Sequence, residues 1–411
     1  MCASMRTQDP VEAYLSRRYD PVMKALNPHF ASLGTTIFTV MSALAVEHDA
    51  INLGQGFPDE DGPRDLRAIA AGALIDGPNQ YPPMMGVPAL RQAVADHDRR
   101  FYGLDYDWRS ETLVTSGATE ALAAALFALL APGDEVVLFE PLYDSYVPII
   151  RQAGAVPRFV RLSPPDWSIP AGSLEAAFGP KTKLILFNTP MNPTAKVFSA
   201  NELQRIAGLA QAYDTYVLCD EVYEHLVFSG HRHLAIATLP GMRERTVRIG
   251  SAGKTFSFTG WKVGYLSGPA SLIGVIGKAH QFLTFTTPPD LQLAVAAGLN
   301  KDDSYFEGLG QSLAAKRDRL ADGLRSVGYR TLAVEGSYFI TVDITGVGPA
   351  LDDADYCKWL TTTIGVAAVP VSAFYADNDP PRHLIRFCFC KRDSVLDAAI
   401  ERLRIGLKAA A

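Results

Sequence analysis

Four short segments of this chain carry residues whose types and spacing can do chemistry. Ser251-Ala252-Gly253-Lys254-Thr255 sets a lysine among small residues. A lysine amine attacks a carbonyl carbon once a dry site lowers its hold on a proton. Asp220-Glu221-Val222-Tyr223 puts two acids and a phenol in four residues. Such an acidic pair suits Mg²⁺, or Asp220 alone suits a cationic ring nitrogen. In Thr189-Pro190-Met191-Asn192-Pro193-Thr194, two prolines fix an irregular loop and present Asn192. Gly117-Ala118-Thr119-Glu120 opens a helical pattern with small residues. Its free N–H groups at the positive end of a helix suit a phosphate, although a plain strand–helix turn reads the same way.

Gly253-Lys254-Thr255 copies the end of a nucleotide-binding loop, but that pattern demands glycine at 248 and the residue is Arg248. A Ser-x-x-Lys hydrolase built on Ser251 and Lys254 lacks its companion motifs. Gly54-Gln55-Gly56 lacks the third glycine and the following helix of a dinucleotide fingerprint.

The elements that must position these residues alternate. Short β-rich runs are expected at 113–116, 135–139, 157–160, 183–188, 216–220, 246–250 and 263–266, several of them continuously apolar, as in strands covered on both faces. Helical patterns at 120–130 and 201–213 lie between them. This βα alternation predicts an α/β domain with a mostly parallel sheet. After about residue 296 the texture changes: a long charged helix at 311–327, β-rich segments at 337–342 and 383–389, and a final helix at 394–408. That reads as a smaller α+β domain. In an open α/β sheet ligands bind beyond the carboxyl ends of the strands, and all four chemistry-bearing segments come just after such an end.

The bulk properties exclude several classes. The chain has 411 residues, 48% hydrophobic and 20% charged, an ordinary globular balance that suits two domains. A net charge of −6 argues against nucleic acid as a partner. The longest apolar run, 121–131, is too short to span a membrane, and Arg17-Arg18 is followed by a polar stretch rather than a signal-peptide core. Five scattered cysteines (Cys2, Cys219, Cys357, Cys388, Cys390) imply no disulfide framework and fit a reducing cytoplasm. Cys388 and Cys390 fall on one side of a strand. Two ligands are too few for a metal site, so they are read as buried structural thiols. Residues 1–30 read as a surface arm.

Together the loops supply a phosphate cup, an acid, a phenol, an amide and a lysine. Pyridoxal 5'-phosphate (PLP) needs this set: a lysine for its aldehyde, a carboxylate for its ring nitrogen, donors for its 3-oxygen and a cationic, N–H-rich cup for its phosphate.

The motifs NLGQGFPDEDGP (52–63), NQYPPMMG (79–86), TSGATEAL (115–122), EPLYDSY (140–146), NTPMNPTAKV (188–197), CDEVYEHLVF (219–228), SAGKTFSFTGWKVGY (251–265) and RFCFCKRD (386–393) succeed one another in that order. In them the chain resembles the fold type I, class I/II PLP-dependent aminotransferases. It is most similar to the branch of kynurenine/glutamine, bacterial methionine and succinyldiaminopimelate aminotransferases.

The resemblance implies a mixed, mostly parallel seven-stranded sheet in a large domain (61–296), a small domain (297–411), and an N-terminal arm and segment (1–60) packing with the small domain. It implies a cytoplasmic homodimer. Lys254 would carry the cofactor as a Schiff base and then shuttle the proton. Asp220 would bind the ring nitrogen, Tyr223 and Asn192 the 3-oxygen, and Tyr143 would stack on the ring. Ala118, Thr119, Ser251 and Lys262 would hold the phosphate, joined by Tyr81 from the neighbouring subunit. Arg386, with Gly56 nearby, would take the substrate α-carboxylate. On its own Arg386 reads as a surface ion pair, and Tyr143 as a core aromatic.

The implied activity is transfer of an α-amino group from an L-amino acid (apolar, sulfur-containing, aromatic or glutamine-like) to a 2-oxo acid by a ping-pong mechanism. A cysteine-S-conjugate β-lyase shares every cofactor residue, and succinyldiaminopimelate transamination is a second alternative. A non-catalytic PLP sensor would need an N-terminal DNA-binding domain. Two departures stand out. Ala195 replaces the family's usual glycine after Asn-Pro-Thr, at a cost of about 1 kcal/mol if the position has positive φ. Phe285-Thr286-Thr287 stands where kynurenine-type members often carry a histidine after an aromatic.

Overall fold

The computed structural model describes residues 24–228, 230–376 and 379–410. The arm reading at 1–30 lies largely outside them. Residues up to Gly34 form one unit, in which a helical turn, Pro28–Ala31, is capped by Asn27 Oδ1 accepting from His29 N at 3.0 Å.

Thr35–Ala411 is the other unit. Its main sheet has seven strands: β1 (Thr112–Ser116), β2 (Glu135–Glu140), β3 (Val156–Arg161), β4 (Thr182–Asn188), β5 (Tyr216–Asp220), β6 (Thr246–Ser251) and β7 (Val263–Ser267). Their spatial order is β1-β7-β6-β5-β4-β2-β3. Pairing is parallel throughout, except that β7 runs antiparallel to both β1 and β6. The expected strands are all present, most of them longer by a residue or two. The apolar runs are covered on both faces: Val136, Leu138, Leu184, Leu186, Leu218, Val247 and Ile249 pack in one core, and Val137, Phe139, Ile185, Phe187 and Val217 in another. Period-two alternation sends each strand's neighbours to opposite faces.

A second sheet joins β8 (Arg330–Thr331), β9 (Phe339–Asp343), β10 (Val369–Pro370) and β11 (Leu384–Cys388) in the order β10-β11-β9-β8, all antiparallel. The short strand Ile51–Asn52 pairs in parallel with Val366–Ala367. The charged helix expected at 311–327 runs from Asp303 to Ser326; its apolar stripe is thin at the start, where only Phe306 and Gly310 are buried. No helix among the described residues is long and apolar enough to cross a membrane.

Topology explains why one edge of the large sheet carries the chemistry. Parallel strands β1, β4, β5 and β6 end at Ser116, Asn188, Asp220 and Ser251. Because β7 is antiparallel, its beginning lies on that same edge: Val263 is opposite Ser116, and Gly264 is opposite Ser251. Lys262, just before β7, therefore arrives beside the strand ends although it precedes a strand.

Candidate active site

A cavity of about 330 Å³ opens at this edge. Its lining includes every residue to which the resemblance gives a cofactor or substrate role except Tyr81: Gly56, Ala118, Thr119, Tyr143, Asn192, Asp220, Tyr223, Ser251, Lys254, Lys262 and Arg386. Tyr81 is 82% exposed and packs edge-on to Phe285, ring centroids 5.3 Å apart.

Lys254 stands in the four-residue helix Ala252–Thr255 that comes directly after β6. Its Nζ donates to Tyr338 Oη at 2.9 Å and, at 3.4 Å, to Gly56 O. Burial disfavours its charged form and lowers its pKa. That is the condition a nucleophilic or basic amine needs.

Asp220, the last residue of β5, is buried. Burial pushes its carboxyl up to about 6, against the pull of a hydrogen bond from Tyr146. Tyr146 Oη donates to Asp220 Oδ2 at 2.6 Å. The acidic pair does not converge on one ligand. Asp220 lines the cavity, whereas Glu221 turns away to Arg248 Nε at 2.8 Å and His233 Nε2 at 3.1 Å. The Mg²⁺ reading of the pair is thereby corrected. Arg248 is the centre of a buried cluster: it also pairs with Asp98 and, at 3.0 Å, with Glu224, whose Oε2 accepts from Tyr102 Oη at 2.6 Å. Glu221 and Glu224 bracket Val222 and Tyr223, so this cluster anchors the segment that carries Asp220 and Tyr223 from behind.

The cup has a physical shape. Gly117 opens the helix Gly117–Leu129 with φ +73, and a Cβ added there would lie 3.1 Å from Lys262 Nζ. The ammonium thus sits over the helix N-terminus, whose first N–H groups have no intrahelical partner. Thr119 and Ser145 reach the Tyr143 phenol. Space kept free of a side chain, an ammonium, helix N–H groups and the Ser251 hydroxyl are the donor set a phosphate monoester takes.

Arg386 lies on β11, fully buried, so the surface-ion-pair reading is corrected. Nη1 donates to Asn192 Oδ1 at 2.6 Å and Nη2 to Gly54 O at 2.7 Å, while Nε has no partner. Burial pushes it down to about 10, still charged at neutral pH. Its Cζ lies 4.0 Å from the Phe339 ring centroid and 5.4 Å from that of Phe38, both cavity residues. Among the described residues no carboxylate pairs with it, so the protein itself leaves the charge of this buried guanidinium uncompensated at the cavity wall. Buried charges of this kind are strong carboxylate sites.

Ala195 has φ +60 and is fully buried, so the positive-φ condition is met. Its carbonyl accepts from Glu335 N at 3.0 Å and Gly336 N at 2.9 Å. Cys388 and Cys390 are buried, as expected. Sequence reasoning missed Tyr146, Tyr338, Phe38 and Phe339. Tyr146 closes the EPLYDSY motif, three residues from Tyr143, so proximity could have flagged it. Nothing local marks Tyr338, which meets Lys254 from 84 residues away.

The chain belongs to the family of class I and II aminotransferases, whose family model matches residues 48–403. It is an α/β enzyme that transfers amino groups. A solved N-succinyldiaminopimelate aminotransferase from Mycobacterium tuberculosis superposes with a TM-score of 0.90 at 46% identity, covering 93% of this chain and all of that one. A methionine aminotransferase of Escherichia coli is 45% identical over 90% of this chain and 96% of its own length. A mouse kynurenine–oxoglutarate transaminase is 41% identical, with 90% and 88% covered. The three names differ in amino donor and agree in reaction.

Proposed function

We propose that the enzyme uses PLP carried by Lys254 to move the α-amino group of an apolar, sulfur-containing, aromatic or glutamine-like L-amino acid to a 2-oxo acid, in two half-reactions at one site. The observation that carries this is the placing of Lys254, Asp220, Arg386 and the Gly117–Lys262 cup in a single cavity. When bound, the cofactor supplies a carbonyl carbon for the amine and a ring that accepts the electron pair left at Cα.

The chain's own residues do the rest. Lys262, Ser251 and the N–H groups at Ala118 and Thr119 hold the phosphate. The Asp220 carboxylate, backed by Tyr146, would hold the cofactor's ring nitrogen in its cationic form. Tyr223 and Asn192 would donate to the 3-oxygen, and Tyr143 would pack against the ring; all three line the cavity. Arg386 and Asn192 orient the substrate carboxylate beside Gly56. Lys254 Nζ, its pKa lowered by burial, takes the Cα proton and returns it one position along. Phe38, Phe57 and Phe339 give the side-chain region an apolar lining, and the cavity cations Lys254, Lys262 and Arg386 are already assigned. That supports an uncharged donor side chain.

The same proposal includes the division into 1–60, 61–296 and 297–411, a cytoplasmic location and a homodimer with Tyr81 reaching the partner's phosphate. Tyr81 and Phe282 are 82% and 86% exposed, and Phe285, itself exposed, packs edge-on against Tyr81; exposed aromatic groups favour cover by a second subunit.

The test is a donor and oxo-acid panel on wild type and Lys254→Ala. Wild type should give the parallel double-reciprocal lines of ping-pong kinetics. The variant should lose turnover by at least ~10³-fold, together with the visible absorbance of the bound cofactor. Intersecting lines, or a variant that keeps both signals, would reject the proposal.

A further inference from the structure

Two thiols that the reaction does not use lie next to its machinery. Cys388 is the last residue of β11, two residues after Arg386, and Cys390 comes after Phe389. Their sulfurs are 3.1 Å apart, and both side chains are buried. A disulfide needs about 2.05 Å, so the sulfurs must close by about 1 Å to bond.

The segment they occupy fastens another part of the site. Cys388 N donates to Leu53 O at 2.7 Å, and Phe389 N to Tyr338 O at 3.0 Å. Lys391 Nζ donates to Phe57 O at 2.9 Å and pairs with Asp59 at 3.1 Å. Residues 388–391 therefore hold residues 53–59. From that stretch, Gly54 O accepts from Arg386, and Gly56 O accepts from Tyr338 and Lys254. A ring closed through only Phe389 strains this fastening from both ends.

We infer that Cys388 and Cys390 form a reversible thiol–disulfide switch, closed by a hydroperoxide, that loosens the seating of Arg386 and Lys254. This rests on the placing of those two residues in the active site. The Cys388 thiolate attacks the peroxide's terminal oxygen; the O–O bond breaks, and the leaving oxygen takes from solvent the proton Cys388 released, giving sulfenic acid and water or an alcohol. The Cys390 thiol then passes its proton to the sulfenic oxygen as its sulfur attacks the Cys388 sulfur; the S–O bond breaks, an S–S bond forms, and the oxygen leaves as water. The pair loses two electrons and the peroxide gains them. A dithiol reverses the change. Burial raises the Cys388 pKa, but the Cys390 hydrogen bond and the Lys391 and Arg386 charges outweigh it and hold Cys388 below the usual thiol range. Cys390 is pushed up, chiefly by burial. Cys388 is thus the sulfur that meets the peroxide, and Cys390 keeps its proton until the second step. A bond strained by so small a ring is readily reduced, as a regulatory disulfide must be.

The experiment treats the holoenzyme with hydrogen peroxide, quenches it, alkylates free thiols in denaturant and digests with trypsin. Cleavage after Arg386 and Lys391 isolates residues 387–391, a peptide holding both cysteines and no others. The expected result is a peptide two hydrogens lighter and unalkylated, rising in step with a fall in kcat/KM of about tenfold or more. Dithiothreitol should reverse both changes. In Cys390→Ser the reversible loss should vanish, each protein being compared with its own untreated activity; Cys388→Ser is the second variant should the first fold poorly. A peptide that stays doubly alkylated, or oxidises to sulfinic acid without the bond, overturns the inference. So does a disulfide that leaves kcat/KM unchanged. The peptide mass reads the thiol pair whether or not the cofactor proposal holds, so the two can fail separately.

Discussion

Lys254 and Tyr338 are joined by a 2.9 Å hydrogen bond, with Lys254 Nζ donating to the phenol. Tyr338 Oη in turn donates to Gly56 O at 2.7 Å, and its ring meets that of Tyr223 edge-on at 5.1 Å. The lysine is therefore aimed by a residue from the entry to β9, not by its own loop. Its nearest polar partners come from the chain's first and last thirds.

Replacing Tyr338 by Phe removes the acceptor and keeps the ring. One hydrogen bond to an amine is worth about 1.5 kcal/mol, so kcat should fall about tenfold. KM for the amino donor should stay within about twofold, because Tyr338 touches Lys254 rather than Arg386. Steady-state kinetics separates the two terms. A rise in KM at constant kcat would assign Tyr338 to substrate binding instead.

Asp220→Asn should uncouple stability from activity. The folded-state pKa of Asp220, about 6, is above the ordinary 3.8. The folded protein thus prefers the protonated acid, and the stability linked to it is full below about 3.8 and is lost as pH rises through about 6. At pH 8 the neutral amide should make the cofactor-free protein more stable than wild type by up to about 3 kcal/mol. Near pH 4 the difference should close. Urea midpoints at the two pH values check this. Under the proposed role of Asp220 at the cofactor's ring nitrogen, turnover should fall by ~10²-fold or more.

Arg386→Lys keeps the charge and loses the fork. A single ammonium cannot hold Asn192 Oδ1, Gly54 O and a two-oxygen anion at once. The expected cost is one to two charged hydrogen bonds, about tenfold to several hundredfold in kcat/KM. It should fall alike on the amino donor and the oxo acid, since the proposed mechanism has both present their carboxylate to Arg386. Unequal losses would mean that the two substrates use different anchors.

Ala195→Gly tests three opposed terms. Left-handed backbone costs a non-glycine residue ~1–2 kcal/mol. Against that relief, glycine forfeits a buried methyl, about 0.8 kcal/mol, and gives the unfolded chain ~0.4–1 kcal/mol of extra entropy. The terms nearly cancel, so stability should move by less than about 1 kcal/mol with kcat unchanged. A stabilisation above about 2 kcal/mol would show that the turn carries more strain than its φ accounts for.

Much of this site was legible from order along the chain. Strands of an α/β sheet announce themselves by apolar runs, and the loop after each parallel strand lands on one edge; Lys254, Asp220, Asn192 and Gly117-Ala118-Thr119 were found in that way. Arg248 was useful to the sequence reading only as a residue that broke a motif. The fold shows it neutralising acids behind Asp220, a role with no local pattern, because Asp98 comes from the helix Pro88–Tyr102.

The sequence by itself determined the sheet and the reaction class and singled out Lys254 as the candidate lysine, since period, turn residues and motif spacing are properties of neighbours in the chain. Tertiary structure alone decided which groups act on those residues. Tyr146 reaches Asp220 across 74 positions, and Arg386 reaches Asn192 across 194. Burial shifts the acid, the lysine and the guanidinium because their charges lose water, and loss of water comes from packing on all sides, not from adjacency in the chain.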